Sequence, residues 1–235
     1  MLGYPHDVRN IVLDDAEGIL QHMKSGSTLI DHTTSSPELA ETIAAKALER
    51  GIHSVDAPVS GGDIGARNGV LVTMVGGTEE GVGSVRTLLD IYSQEVQHMG
   101  VPGAGQHTKM ANQIMIGTTM VGLCESLLYA QKANLNHQQM ISLLSKGAAG
   151  SFSMEKLGPR MLKRDFEPGF YVEHFVKDLG IILDECRRMK LSVPGTALAY
   201  QLYQLMMAQD KGRNGTQGLL TALEEMNRTT VNTYQ

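Results

Sequence analysis

The chain has 235 residues, 42% hydrophobic and 19% charged, enough for one large domain or two modest ones around a sizeable core. A net charge of −5 and a pI near 5.9 argue against a nucleic-acid or membrane-surface partner. No apolar run approaches the roughly 20 residues needed to span a bilayer. The opening MLGYPHDVRN lacks the basic and apolar regions of a signal peptide, so no targeting segment is visible and mitochondrial and cytoplasmic locations both stay open.

The first hundred residues alternate between two periodicities. STLID (27–31) is apolar and β-branched and predicts a strand. SPELAETIAAKALERG (36–51) predicts a helix with Ser36 as N-cap, Pro37 at the first helical position and Gly51 at the stop. IHSVDAP (52–58) is a second strand, so strand, helix and strand with short joints imply a βαβ unit and a parallel sheet. VLVTMVGG (70–77) is a third strand, TEEGVGSVRTLLD (78–90) a helix capped by Thr78, and EVQHMG (95–100) a last strand.

From residue 103 the pattern changes. Residues 104–133 carry apolar side chains at three- and four-residue intervals with no proline, which predicts one long helix. It is apolar on more than one face, as in a helix buried between domains or subunits or in the core of a monomer. Helices are predicted over 137–146 after Asn136, 151–163 after Ser151, 174–189, 195–209 and 216–226, with no strand signal between them. The expected organisation is an α/β part over 1–102 followed by an all-α part over 103–235. The polar tail NRTTVNTYQ is expected to fray.

Cys124 and Cys186 lie in separate apolar helical patterns and read as buried thiols of a reducing compartment, not as a disulfide. The eight histidines are scattered, and no cluster has metal-ligand spacing. GAGQHTKMANQ (103–113) opens the long helix. Gly103 and Gly105 would let its backbone approach another group closely. Lys109, Asn112 and Gln113 share one helical face. Such a lysine either snorkels to solvent or sits by a polar ligand, where partial burial would lower its pKa toward proton exchange near neutrality. VSGG (59–62) reads as a tight turn or, with a hydroxyl beside bare backbone, as an anion cradle. KDLG (177–180) reads as a solvated charge pair, and Thr33 and Thr34 as turn residues.

Taken together, DAPVSGG, GAGQHTKMANQ and KDLG in this order and spacing closely resemble the β-hydroxyacid dehydrogenase family, with 3-hydroxyisobutyrate dehydrogenase as its type. The resemblance runs from Met1 to about Asn227. It implies an NAD(P)-dependent oxidoreductase of a small hydroxyacid or semialdehyde, with a Rossmann-like α/β domain, an all-α C-terminal domain and a homo-oligomeric state, a homodimer or a tetramer. By the same resemblance Ser60, Gly61 and Gly62 would cradle the substrate carboxylate. Lys109 would be the general acid/base, with Asn112 orienting the substrate oxygen and Gln113 a weaker candidate. Leu2, Gly3, Thr34 and Lys177 would border the cofactor, with Asp7 and Asp178 near them. MLGYPHDV would be the loop after a Rossmann strand.

The chain departs from the family pattern in having no Gly-x-Gly-x-x-Gly turn. The expectation is therefore an incomplete Rossmann-like domain lacking its N-terminal part, with NAD against NADP unreadable. A second reading follows, a non-catalytic, dimerising interaction module. 6-Phosphogluconate dehydrogenase shares the Ser-Gly-Gly and the lysine but carries a histidine where this chain has Asn112.

Overall fold

The computed structural model describes residues 1–232. It divides into two compact units, Met1–Asn112 and a second that begins at Gln113. In the first unit α1 (Pro5–Leu13) and α2 (Ile19–His22) precede β1 (Thr28–Asp31), α3 (Pro37–Leu48) and β2 (His53–Asp56). There follow β3 (Val59–Ser60), α4 (Gly62–Asn68), β4 (Leu71–Gly76), α5 (Glu79–Tyr92) and β5 (Ser93–Gly100). Ser36 accepts from the Leu39 amide and Thr78 from the Gly81 amide, so both predicted N-caps hold.

The sheet is not purely parallel. β1 and β2 run parallel and so do β4 and β5, but β4 lies antiparallel to both β2 and β3. The βαβ reading holds for β1–α3–β2. Beyond β2 the chain reverses through β3 and α4, a link whose direction the hydrophobic pattern does not encode. Successive side chains of β1 face opposite ways. Leu29 packs with Val8, Val12, Leu20, Leu39 and Ile43, whereas Ile30 packs with Val55, Val75, Val82, Val85 and Leu89. The sheet thus has a core on each face.

The opening segment corrects the reading of 1–8 as a loop. Pro5 occupies the first turn of α1, and the Tyr4 amide donates to Asp7 Oδ2 at 3.1 Å. Asp7 is therefore engaged in starting a helix.

α6 (Ala104–Lys132) is the predicted long helix, and the division between the units falls within it after Asn112. The second unit continues through α7 (His137–Leu144), a π-helical turn (Ser153–Leu157), α8 (Gly158–Leu162), α9 (Val172–Met189), α10 (Pro194–Ala208), a short 3-10 turn and α11 (Leu219–Asn227). Asn136 caps α7 as expected, accepting from the Gln139 amide. Its core is built on Phe175 and Tyr203, whose rings meet edge to face at 4.9 Å, with Leu127, Leu179 and Met206. The buried Tyr203 hydroxyl is satisfied by donating to the Thr216 carbonyl at 2.9 Å. Cys124 and Cys186 are both free and buried, and burial pushes the Cys124 thiol well up. Beyond α11 the polar tail is tied at two points. Val231 is buried with its amide on Glu224 Oε1, and the Asn232 amide reaches Gln131 Oε1. Residues 233–235 lie outside the described residues.

Candidate active site

The stretch DAPVSGG holds the start of α6 at two points. Asp56, at the end of β2, accepts from the Gly103 amide through Oδ1 at 2.8 Å and from the Gln106 amide through Oδ2 at 2.9 Å. These are amides that a helix start leaves unpaired within the helix, so a side chain of β2 caps α6. Three residues on, the Val59 carbonyl accepts from Lys109 Nζ at 2.7 Å. The close approach needs glycine. A Cβ on Gly105 would lie 2.5 Å from the Asp56 carbonyl, and one on Gly76 2.5 Å from Asp56 Oδ1.

Lys109 is only 6% exposed, which removes the reading in which it snorkels to water. Its amine is fixed to the residue immediately before Ser60. Ser60 is half-buried, and Gly61 and Gly62 are exposed with φ of 128° and 63°. Both angles are positive, so the backbone turns there without side chains to cover it. The stretch is a two-residue strand, β3, leading straight into α4. Asn112 lies on the same helical face as Lys109 and is half-buried.

A second group gathers at the carboxyl end of β1. The Leu2 amide donates to Thr33 Oγ1 at 2.8 Å, which holds Leu2 and Gly3 beside the loop 32–36. Gln106 is fully buried and spans that loop, accepting from the Ser35 amide and donating to the Thr33 carbonyl. Thr34 lies between these two anchors, half-buried. The Ser35 hydroxyl is buried and has no hydrogen-bond partner among the described residues. Neither Gln106 nor Asp56 was singled out from sequence. The signal available was a glutamine three residues before Lys109 on an apolar helix.

Lys177 belongs to the second unit. Its Nζ lies 2.7 Å from Asp178 Oδ1, an approach with the distance of an ion pair but not the angles of a hydrogen bond. Gln113 Nε2 donates to Asp178 Oδ2 at 2.7 Å. The side chains of Lys177 and Asp178 are 12% and 1% exposed, so this is not the solvated charge pair that spacing alone suggested.

Two family models match the chain. The NAD binding domain of 6-phosphogluconate dehydrogenase matches residues 1–100, and the NAD-binding model of NADP-dependent 3-hydroxyisobutyrate dehydrogenase matches residues 103–223. A probable mitochondrial 3-hydroxyisobutyrate dehydrogenase-like protein of Arabidopsis thaliana is 51% identical over 98% of this chain and 69% of its own length. The chain belongs to the β-hydroxyacid dehydrogenase family. An uncharacterized oxidoreductase of Bacillus subtilis is 46% identical over 93% of this chain and 76% of its own length. The solved structure of Mycobacterium tuberculosis 3-hydroxyisobutyrate dehydrogenase with L-serine superposes with a TM-score of 0.85. Its identity is 26%, over 95% of this chain and 77% of that one.

Membership makes the chain an NAD(P)-dependent oxidoreductase of the hydroxyacid dehydrogenases, with NAD or NADP as cofactor, an α/β Rossmann-like first domain and a mostly helical second one. It also corrects one expectation. The NAD-binding model matches from residue 1 to residue 100, so a domain lacking its N-terminal part is not borne out. The residues present suit a nicotinamide cofactor. Loop 32–36 lies at the carboxyl ends of the parallel pair β1 and β2, where α/β sheets bind dinucleotides, and it offers one unsatisfied buried hydroxyl.

Proposed function

We propose that the protein interconverts a small hydroxyacid and its semialdehyde, with Lys109 as general acid/base. The observation that carries this is the buried Lys109 amine, 2.7 Å from the carbonyl that precedes Ser60. In this reading Ser60, Gly61 and Gly62 receive the substrate carboxylate through a hydroxyl and uncovered backbone. A neutral lysine keeps two N–H donors and one lone pair. One N–H stays on the Val59 carbonyl and fixes the nitrogen in place. The lone pair then takes the hydroxyl proton during oxidation, and the ammonium returns it to the carbonyl oxygen during reduction. Asn112 holds that oxygen toward Lys109. The chemistry that a nicotinamide, when bound, would supply is hydride transfer to or from the carbon bearing that oxygen.

Leu2, Gly3 and Thr34 would border the cofactor, their backbone held by Thr33 and Gln106. Lys177 keeps its cofactor assignment on the resemblance of KDLG alone. The reading extends to a homodimer. Met115 and Tyr129 on α6 are 65% and 73% exposed, with the exposed Gly122 midway between them at seven-residue steps, a stripe suited to a second helix. Sedimentation at micromolar concentration should give twice the monomer mass.

The direct test is a screen of small hydroxyacids and semialdehydes with both nicotinamides, beside a titration of cofactor binding. Turnover of at least one carboxylate-bearing substrate is expected. No turnover, with no NAD(H) or NADP(H) binding at millimolar concentration, would instead favour the interaction-module reading.

A further inference from the structure

The Asp56 carboxylate has no part in the chemistry just described, yet both of its oxygens are engaged beside it. It is 4% exposed, and it accepts the amides of Gly103 and Gln106 while Gly76 and Gly105 press against it without room for a Cβ. Lys109 stands one helical turn beyond Gln106, and Ser60 four residues beyond Asp56. A single short segment, residues 56–60, therefore grips α6 by its first amides and again by the Lys109 amine. With only the second grip, the lysine side chain could follow any slide or rotation of the helix. With both, the axial position of α6 is set, and the amine is set with it.

We infer that Asp56 is a positioning residue for Lys109: by capping α6 from β2 it fixes where the amine sits relative to Ser60. The inference rests on the assignment of Lys109 given above. Burial raises the Asp56 pKa despite the opposing pull of the Gly103 and Gln106 amides, and the Asp31 charge adds to the rise. The case for a positional role is the geometry: both carboxylate oxygens hold amides at the start of the helix that carries Lys109.

The test is a double-mutant cycle on the full-length protein with Asp56→Asn, Lys109→Ala and the pair. Asp56→Asn should lower kcat by about 10- to 100-fold, the scale of an ångström-sized misplacement of a reacting group. The hydroxyacid KM and the cofactor Kd should stay within about threefold, because Asp56 is buried with both oxygens held by backbone amides. In the Lys109→Ala background the same change should alter kcat by less than about twofold, since the group it positions is already gone. An equal fall in both backgrounds, or a folded Asp56→Asn protein with wild-type kcat, overturns the inference. Lys109→Ala alone decides the lysine assignment: wild-type turnover in that variant removes Lys109, whatever Asp56 does. Should Asp56→Asn fail to fold, Asp56→Glu, which keeps the charge and lengthens its arm, carries the same comparison. A several-fold loss in kcat that vanishes beside Lys109→Ala supports the inference, and a loss that persists there overturns it.

Discussion

Each unit holds a lysine that is largely covered, Lys109 and Lys177, and the two are held in different ways. In the first unit Lys109 donates to a neutral backbone carbonyl. In the second, Lys177 faces the carboxylate of Asp178, whose other oxygen is bound by Gln113. Losing the first lysine leaves an acceptor without a donor, a modest loss of about 1–3 kcal/mol. Losing the second leaves a buried negative charge, which is far worse for folding. On the assignment proposed above, Lys109 is the lysine of the two that does chemistry, while the partner shown for Lys177 is a carboxylate.

Crossing the two substitutions would break this contrast most directly. Lys109→Ala should lower kcat by about 100- to 10,000-fold, the usual worth of a general acid/base, while cofactor affinity barely moves. Lys177→Ala should destabilise the second unit by about 3–5 kcal/mol, the cost of breaking a buried pair. Steady-state kinetics and urea unfolding followed on both variants check the pair, and a reversed pattern would undo the comparison. A smaller effect sharpens it. Ser60→Ala should raise the hydroxyacid KM about tenfold through loss of one hydrogen bond to a charged group, with kcat little changed. A KM that does not move removes Ser60 from the carboxylate cradle.

Much of the fold was legible. Ser36, Thr78 and Asn136 announced helix starts because a capping side chain acts on its own next three residues. The long helix was legible because thirty residues of uninterrupted periodicity leave little alternative. α4 was not. GDIGARN has glycines at its start and centre, and Gly65 is its one buried residue, so no apolar stripe marks it. α1 has local signals in Pro5, Val8 and Val12, which the family resemblance of this segment to a loop outweighs until the fold is seen. The direction of β4 was equally hidden, because its apolar pattern is the same whichever way the strand runs.

The candidate site divides along the same line. The residue types and their order, DAPVSGG then GAGQHTKMANQ then KDLG, are written in the chain and were enough to reach the family. That Asp56 caps α6, that Gln106 braces the loop 32–36, and that Asp178 is buried between Lys177 and Gln113 came only with the fold. Sequence by itself settled the local elements and the chemical inventory, because propensity, capping and periodicity act over a few residues. Tertiary structure alone decided the strand direction and which polar groups meet, because contacts such as Asp56 with Gly103 join positions 47 residues apart, a separation no local pattern spans.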